Sequence, residues 1–429
     1  MKNKIAWLVY RPEKKRNKEN TFDSNYNIGA LVVNNELIKA GYEIGYVTPE
    51  SANEADIILI SFTSTYDLIA YYKAVSKYKH WKNRKFKVIA GGFGLQNINS
   101  IKNYIDIAVF GRAEGQIIDI INGNYDYDNV MVLPEIKPIK IRQVDSLYSD
   151  EICLIKKNKV WKETFVGCPN RCKFCHYSWA RKKVGTVTYL SERLVNKPQI
   201  LWKDIKKINK YLSSLKAAMD GFSEKLRNFY GKKISNLEII EGIEHIGSFT
   251  GTTMINVYNI CNMPNETKDD FDEFKLVLDK CNPINKTIIV LQSSPFRPSP
   301  ITPMQWEPVK LLPDWHKVSG TTFYSKNNLL AVHSLMNESC WSHLVTTIIE
   351  RATEQSEKLI NTICFSSKLN KYKAEQKVKM LEHHFDLSPY LREYDVEEKL
   401  PTWYLESYTP NEKIKKMAVK LKQNLGLAA

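Results

Sequence analysis

The sequence predicts an α/β protein: a Rossmann-like parallel sheet domain, then a partial β/α barrel, then a mostly helical C-terminal extension. Two observations predict the first part: apolar runs of strand length alternate with helical patterns, and most strands are apolar throughout. Such strands are typical of a parallel sheet covered on both faces. Strand patterns recur later, and apolar residues at helical spacing follow them, among them Leu329, Leu330, Val332 and Leu335. We place the domains at 1–133, 161–312 and 313–429, with a linker at 134–160.

The first domain is predicted from five apolar runs and the glycine-containing loops that follow them. Parallel sheets bind ligands at the carboxyl ends of their strands. Ser61, Gly91 and Gly92 lie directly after two of the runs, and glycines there let the backbone approach a ligand closely. These three residues are therefore candidate ligand contacts. The predicted strands are Ile5–Tyr10, Ile44–Val47, Ile57–Phe62, Phe86–Ala90 and Ile107–Phe110, with a helix over 29–40.

The second domain is predicted to begin with a short strand over 162–166 that delivers a cysteine-rich loop to its carboxyl end. A β/α barrel holds its chemistry at that edge. Later strands are predicted over 216–220, 255–260 and 287–292, and Thr267 is a candidate N-cap with Asp270 three residues on.

Three thiols lie within eight residues of this loop, spaced C-x3-C-x2-C: Cys168, Cys172 and Cys175. Thiolates converging from one short loop select a soft metal centre, and an iron-sulfur cluster is its common occupant when cysteine is the only ligand type. A cluster with three protein ligands keeps one open position for a small molecule. Zinc bound by the three cysteines and His176 stays an alternative, as do unligated thiols. The C-x-x-C-H pattern of c-type haem is set aside, because we expect no signal peptide before Ile5.

The composition of the chain limits its possible location and partners. The chain has 429 residues, of which 43% are hydrophobic, and no run approaches the roughly 18 apolar residues of a membrane helix. The other five cysteines are scattered, which indicates a reduced, cytoplasmic protein with no membrane partner. A net charge of +15 favours an acidic or nucleic-acid partner, although lysine is abundant along the whole chain.

The cysteine spacing, with Phe174 directly before the third cysteine, resembles the cluster-binding loop of the radical S-adenosylmethionine (SAM) superfamily. Three later stretches are similar, in the same order, to motifs of the class with an N-terminal cobalamin (B12)-binding-like domain. Residues 220–227 resemble D-G-x-S-E-x-L-R, and 296–306 resemble F-x-P-x-P-x-T-P-x-Q-W. Residues 264–270 resemble P-G-E-T-x-x-D, with Asn265 at the position of the glycine.

The resemblance implies that Cys168, Cys172 and Cys175 hold a 4Fe-4S cluster that binds SAM and cleaves it reductively, starting the radical modification of an unidentified substrate. The electron would come from a reductant such as flavodoxin or ferredoxin. Glu224 and Arg227 also have the spacing of an ordinary intrahelical ion pair. The SAM contacts that the resemblance implies are Phe174 beside the adenine, Ser223, Glu224, Arg227 and Asn259.

The sequence departs from this class at two points. The cobalt-ligating D-x-H-x-x-G motif is missing, since the nearest stretch, 23–29, has Asn25 at the histidine position. Cobalamin would therefore bind against Ser61, Gly91 and Gly92 without a histidine on cobalt, or it has been lost, and we favour loss. Bound cobalamin would make methyl transfer the leading reaction. A Gly-Gly-Glu segment is also missing, so the early barrel strands are expected to be short. The alternative of another class is a nucleic-acid-binding protein stabilised by zinc or a cluster.

Overall fold

Two six-stranded sheets form the framework of the protein. The computed structural model describes residues 3–10, 28–154, 159–163, 165–168, 170–185, 199–310, 322–335, 337–366, 369 and 374–426. Most of the stretch nearest to the cobalt-ligating motif, residues 23–27, lies outside these ranges.

The first sheet has the strand order β2-β1-β3-β4-β5-β6 and is parallel except for β6, which is antiparallel to β5. All five predicted strands are present, so the doubly wound, Rossmann-like expectation is confirmed. The strands are β1 (Ile5–Leu8), β2 (Ile44–Val47), β3 (Ile57–Ser61), β4 (Lys87–Gly91), β5 (Ile107–Val109) and β6 (Val130–Val132). The helices are α1 (Ile28–Lys39), α2 (Tyr66–Val75) and α3 (Ile117–Ile121).

Strand β3 shows why these runs are apolar throughout. Side chains alternate between the two faces of a strand. Ile58 and Ile60 belong to one hydrophobic core, whereas Ile57 and Leu59 belong to another on the opposite face. Helix α2 packs into the first core, and α1 covers the second. Both faces are therefore buried, and an apolar side chain is favoured at every position.

The segment between the sheets contains short strand pairs. The strand predicted over 162–166 is wrong in extent, because among the described residues of this range the strand is Phe165–Val166 alone, and it pairs antiparallel with Val184–Gly185. Directly after it, Gly167 adopts φ +78°, and the turn there ends the strand before it can join the second sheet. The elements are β7 (Ile139–Lys140), β8 (Ile152–Leu154), β9 (Lys159–Trp161), β10 (Phe165–Val166), β11 (Val184–Gly185) and α4 (His176–Ala180).

The second sheet has the order β12-β13-β14-β15-β17-β16. Its first five members are parallel, and β16 lies antiparallel at one edge. Consecutive parallel strands lie side by side without closing, so the expected partial barrel is confirmed. The strands are β12 (Gln199–Ile200), β13 (Ser214–Ala218), β14 (Thr253–Cys261), β15 (Thr287–Pro295), β16 (Thr322–Lys326) and β17 (Leu329–Leu335).

Helices cover this sheet, and their capping is visible in the sequence. Thr267 and Asp270 form a reciprocal capping box at the start of the fourth of them, as predicted, and Ser235 and Glu238 form another. The helices are α5 (Trp202–Ile205), α6 (Glu224–Phe229), α7 (Asn236–Gly247) and α8 (Lys268–Asp279).

The C-terminal part is mostly helical, with one correction. Helical spacing was expected to include Leu329, Leu330, Val332 and Leu335, but these residues form β17, which pairs with β16 through a turn at Asn327. The described elements are α9 (Asn337–Glu350), α10 (Glu357–Phe365), α11 (Ala374–His384), α12 (Ser388–Leu391), β18 (Leu405–Glu406) and α13 (Asn411–Gly426). Across the described ranges, none of the helices is both long enough and apolar enough to cross a membrane.

Candidate functional site

The cysteine loop is a tight turn between β10 and α4. Gly167 begins it, and a Cβ added there would lie 2.5 Å from the carbonyl oxygen of Lys182. Arg171 adopts φ +49°, a left-handed conformation that is uncommon for a residue other than glycine. Within the turn, the backbone N–H of Cys175 donates to the carbonyl oxygen of Cys172 at 3.0 Å. The backbone therefore curls around the positions of the three thiols.

Aromatic side chains hold this turn in place. The Arg171 guanidinium lies over the rings of Trp179 and Tyr408, at 4.5 and 4.9 Å from their centroids. The indole N–H of Trp179 donates to the carbonyl oxygen of Cys172 at 2.8 Å. The loop is thus fixed from α4 and from the C-terminal part of the chain.

The opposite side of the loop contacts the carboxyl edge of the second sheet. The N–H of Lys173 donates to the carbonyl oxygen of Tyr230 at 2.9 Å. Lys232 forms an ion pair of 2.7 Å with Asp220, which follows β13, and both of their charges act on Cys172. The cysteines therefore lie beside the carboxyl end of β13, the edge expected to carry the chemistry of a barrel.

The thiols occupy an apolar environment. Cys172 is buried, with Leu226, Tyr230 and Met263 around it. Burial raises the pKa of Cys172 to about 12, although Lys232 opposes the effect, and burial also raises the pKa of Cys175. Such thiols are protonated until a bound cation stabilises their anions. Within the described residues, no three His, Cys, Asp or Glu side chains form a ready-made metal site. A donor set of three cysteines on one loop suits a soft centre such as an iron-sulfur cluster.

Three residues expected to contact SAM are bonded within the protein. Ser223 caps α6, accepting from the N–H of Leu226 at 3.1 Å. The Glu224 carboxylate accepts from the N–H of Asn236 at 2.6 Å. Arg227 is fully buried, and its guanidinium donates to the carbonyl oxygens of Gly221, Phe222 and Ile234 and to the Asn236 side chain. No described contact pairs Arg227 with Glu224, so the simple intrahelical ion pair does not form.

Asn259 has a different status. Its Oδ1 accepts from the N–H of Gly221 at 2.7 Å, whereas its buried Nδ2 has no acceptor among the residues that the structure describes. Phe174 packs beside Tyr230 and Phe296. The contact of each of these residues with SAM stays a prediction.

A cavity of about 490 Å³ lies at the carboxyl edge of the first sheet. Ser61, Gly91 and Gly92 line it, as do His176 and Tyr177 of α4. The Nδ1–H of His176 donates to the carbonyl oxygen of Pro300 at 2.9 Å, and burial lowers the pKa of this ring to about 4. One wall of the cavity therefore directly continues the cysteine loop.

Charged side chains at this cavity were largely missed by sequence reasoning. Arg112 makes a two-pronged ion pair with Glu163, at 2.9 and 3.0 Å. Arg142 donates to the carbonyl oxygen of Arg112 at 3.1 Å. Arg142 and Glu163 come from the segment between the two sheets, whose sequence has no pattern that predicts its position, while Arg181 follows α4. The one available signal is that Glu163 lies just before the cysteine loop.

The residues at this cavity include no feature specific to cobalamin. Gly92 adopts φ +96°, and an added Cβ would lie 2.4 Å from the carbonyl oxygen of Phe62, so this glycine is required by the chain's own packing. The cavity volume of about 490 Å³ suits a drug-sized ligand. A corrin macrocycle with its nucleotide tail is larger than that, so the cavity encloses at most part of it.

Comparisons with known proteins gave few matches. No protein-family model matches the chain, and no curated protein matches it. Among solved structures, it is similar to the apo, SeMet-labelled cobalamin-dependent S-adenosylmethionine radical enzyme OxsB, with 13% identity and a TM-score of 0.32 over 89% of this chain and 61% of that one. For OxsB with aqua-cobalamin and S-adenosylmethionine bound, the identity is 11% and the TM-score 0.25, over 97% and 56%. The chain thus spans less than two thirds of the OxsB length, and TM-scores this low carry no argument about function.

Proposed function

We propose that the chain is a radical SAM enzyme in which Cys168, Cys172 and Cys175 hold a 4Fe-4S cluster. The observation that carries this proposal is the position of one loop with three thiols between the carboxyl edges of two parallel sheets. When bound, such a cluster leaves one iron free to bind SAM and supplies the electron that cleaves it. The substrate to be modified is not identified.

The residues around the loop support this function by fixing the ligands and balancing their charge. Arg171 and Trp179 hold the loop backbone, which restricts the positions that the three cysteines can take. The Lys232 ammonium lies near Cys172 and favours its thiolate. Burial of Cys172 keeps water from the ligand sulfur, which protects a cluster from hydrolysis and oxidation.

The SAM contacts divide into one direct candidate and several positioning residues. The buried Nδ2 of Asn259 has an N–H donor with no acceptor among the described residues. A carboxylate or ribose oxygen of SAM would accept a hydrogen bond from it. Ser223 and Arg227 hold the turn at 220–223 beside it, and Glu224 holds the start of α7. Phe174 offers an aromatic surface at the third cysteine for the adenine.

Anaerobic reconstitution with iron and sulfide tests the proposal. We expect about four irons and four sulfides per chain, absorbance near 400 nm, and 5′-deoxyadenosine on incubation with SAM and dithionite. Replacement of Cys168, Cys172 or Cys175 by Ala should each remove the cluster signal and the product. Flavodoxin or ferredoxin, the reductants that we propose as natural partners, should replace dithionite.

Matched controls separate ligand loss from misfolding. Cys281→Ala and Cys364→Ala remove buried thiols from two other cores and should leave iron content unchanged. One equivalent of zinc with no colour would overturn the proposal in favour of a structural zinc site, and a full cluster in Cys172→Ala would exclude that cysteine as a ligand.

A further inference from the structure

The cavity at the first sheet lies where its strand order reverses direction. In an open sheet of order 2-1-3-4-5, the chain moves one way from β1 to β2 and then crosses back past β1 to β3, and this reversal opens a crevice at the carboxyl ends of β1 and β3. Trp7 of β1 and Ser61 of β3 both line the cavity. The fold alone therefore favours a ligand here, whatever the cysteine loop holds.

The dimensions of the cavity select the class of ligand. A volume of about 490 Å³ lies within the range of roughly 300–1,000 Å³ that encloses drug-sized molecules. A mononucleotide is of that size, and a complete cobalamin is not. Gly92 packs against the backbone of Phe62, so the fold itself explains the glycine, and the glycine does not indicate a corrin site.

The walls of the cavity suit a flat ring. Leu59, Ile89 and Val109 of the sheet are part of the lining. Phe93 and Tyr177 are also part of it, with their ring centroids 5.6 Å apart. A lining that combines apolar and aromatic side chains favours a planar aromatic group, since such a group buries area and stacks.

Among the described residues, two cations at the cavity, Arg142 and Arg181, form no ion pair with a carboxylate, and Arg142 instead donates to the carbonyl oxygens of Arg112 and Glu114. Arg112 is paired with Glu163, and Lys182 with Asp145. The guanidinium of Arg181 lies 5.1 Å from the ring centroids of both Phe93 and Tyr177, and within the described ranges no carboxylate pairs with it. An arginine held by two rings and lacking a counter-ion is suited to bind phosphate.

The charges of all the side chains that line the cavity also favour an anionic ligand. The lining contains four cationic side chains, Arg112, Arg142, Arg181 and Lys182, and two anionic ones, Glu114 and Glu163. Asp145, which lies outside the lining, pairs with Lys182, so one positive charge remains in excess at a site with apolar walls, where an anion is held more strongly than in water.

We propose that this cavity binds a phosphorylated planar heterocycle of mononucleotide size, such as a flavin mononucleotide, with its ring between the sheet edge and Tyr177 and its phosphate on Arg181. The ligand would lie against α4, whose first residue follows Cys175. Binding requires no iron-sulfur cluster. Its failure would therefore leave the proposed radical SAM function standing, and the reverse also holds.

Equilibrium dialysis of the full chain, with and without reconstituted cluster, tests this with FMN, AMP, riboflavin and hydroxocobalamin as probes. We expect one equivalent of FMN or AMP to bind in both forms. Riboflavin, which lacks the phosphate, should bind at least about tenfold more weakly than FMN, because a charge-assisted contact is lost.

Substitutions identify the site. Arg181→Ala should weaken the phosphorylated probe about tenfold or more and leave riboflavin unchanged, while Arg181→Lys should retain part of the affinity. Arg392→Ala is the matched control, because Arg392 also lies over a tyrosine ring, 4.1 Å from the centroid of Tyr394, but outside the cavity. The proposal is overturned if the protein retains neither FMN nor AMP. It is also overturned if Arg181→Ala binds FMN as tightly as wild type does, or if one equivalent of hydroxocobalamin displaces FMN.

Discussion

Glu307, directly after the proline-rich segment, should make stability depend on pH. Its side chain is buried, with 4% of the residue exposed, and burial raises the pKa of this carboxyl from 4.5 to about 7. Lys422 opposes this change, whereas Glu393 adds to it. The protonated form is therefore the one that the folded protein prefers near neutrality.

The direction and the size of this pH dependence follow from the difference between the pKa of Glu307 in the folded and the unfolded protein. Between pH 4.5 and about 7 the folded protein keeps a proton on Glu307 that the unfolded chain has lost. This contribution to stability is fully present below pH 4.5 and is lost as the pH rises through 7. At about 1.4 kcal/mol per pKa unit, the gap amounts to about 3 kcal/mol.

Chemical unfolding of wild type and Glu307→Gln, from pH 4.5 to 8, measures this contribution of Glu307 to stability. Glutamine cannot ionise, so the stability of wild type should fall relative to the variant by about 3 kcal/mol across this interval. The comparison is made between two proteins at each pH, since a chain with several cores does not unfold in one step. Glu135→Gln, at an exposed glutamate, is the control. A constant difference between wild type and Glu307→Gln at every pH would refute the reasoning.

Three further substitutions are expected to change stability, as measured by urea unfolding. Arg227→Met should cost about 3 kcal/mol or more, because it leaves buried carbonyl oxygens without a donor, and a cost below about 1 kcal/mol would contradict this role. Ser235→Ala should cost about 1 kcal/mol through loss of the capping box at α7, whereas no change would mean that the cap contributes nothing. Gly92→Ala should cost more than about 2 kcal/mol, because of its positive φ and the 2.4 Å approach to Phe62. The neighbouring Gly91→Ala, whose Cβ would lie 3.4 Å from the nearest atom, should be tolerated much better, and equal costs at the two glycines would contradict the packing argument.

The first sheet could be predicted from the sequence because its signal is local. Each of its predicted strands is an apolar run bounded by polar or glycine residues, and burial on both faces makes that pattern hard to mistake. The capping box at Thr267 was predictable for the same reason, since its two partners are three residues apart.

The hairpin of β16 and β17 was not predictable in this way. Leu329, Leu330, Val332 and Leu335 satisfy a helical spacing, and a short apolar run does not distinguish a strand from a helix. Pairing of the whole of β17 with Thr287–Ser293 of β15 decided the outcome. Contacts distant in sequence are equally invisible, and Arg112 with Glu163 is one example, 51 residues apart.

The role of Arg227 shows a different limit. Its spacing from Glu224 predicted either a SAM contact or an intrahelical ion pair, and both assume a side chain on the surface of a helix. In the structure the helix ends at Phe229, and the chain turns back so that the carbonyl oxygen of Ile234 reaches the guanidinium. Burial of this cation is set by the path of the chain after the helix, which the motif does not contain.

The two halves of the protein meet at the cysteine loop, and this determines how its conformation is maintained. Trp179, which bonds to the backbone of Cys172, belongs to the core that contains the first sheet. Phe174 and Cys172 belong to a separate cluster with Tyr230 and Met263 from the second half. Because the two anchors of one short turn lie in different cores, a shift of either half changes the spacing of the three thiols. The core that contains the first sheet therefore contributes to the order of the cysteine site through Trp179, whether or not its cavity binds cobalamin, while Tyr408 and Tyr230 contact the loop from other parts of the chain.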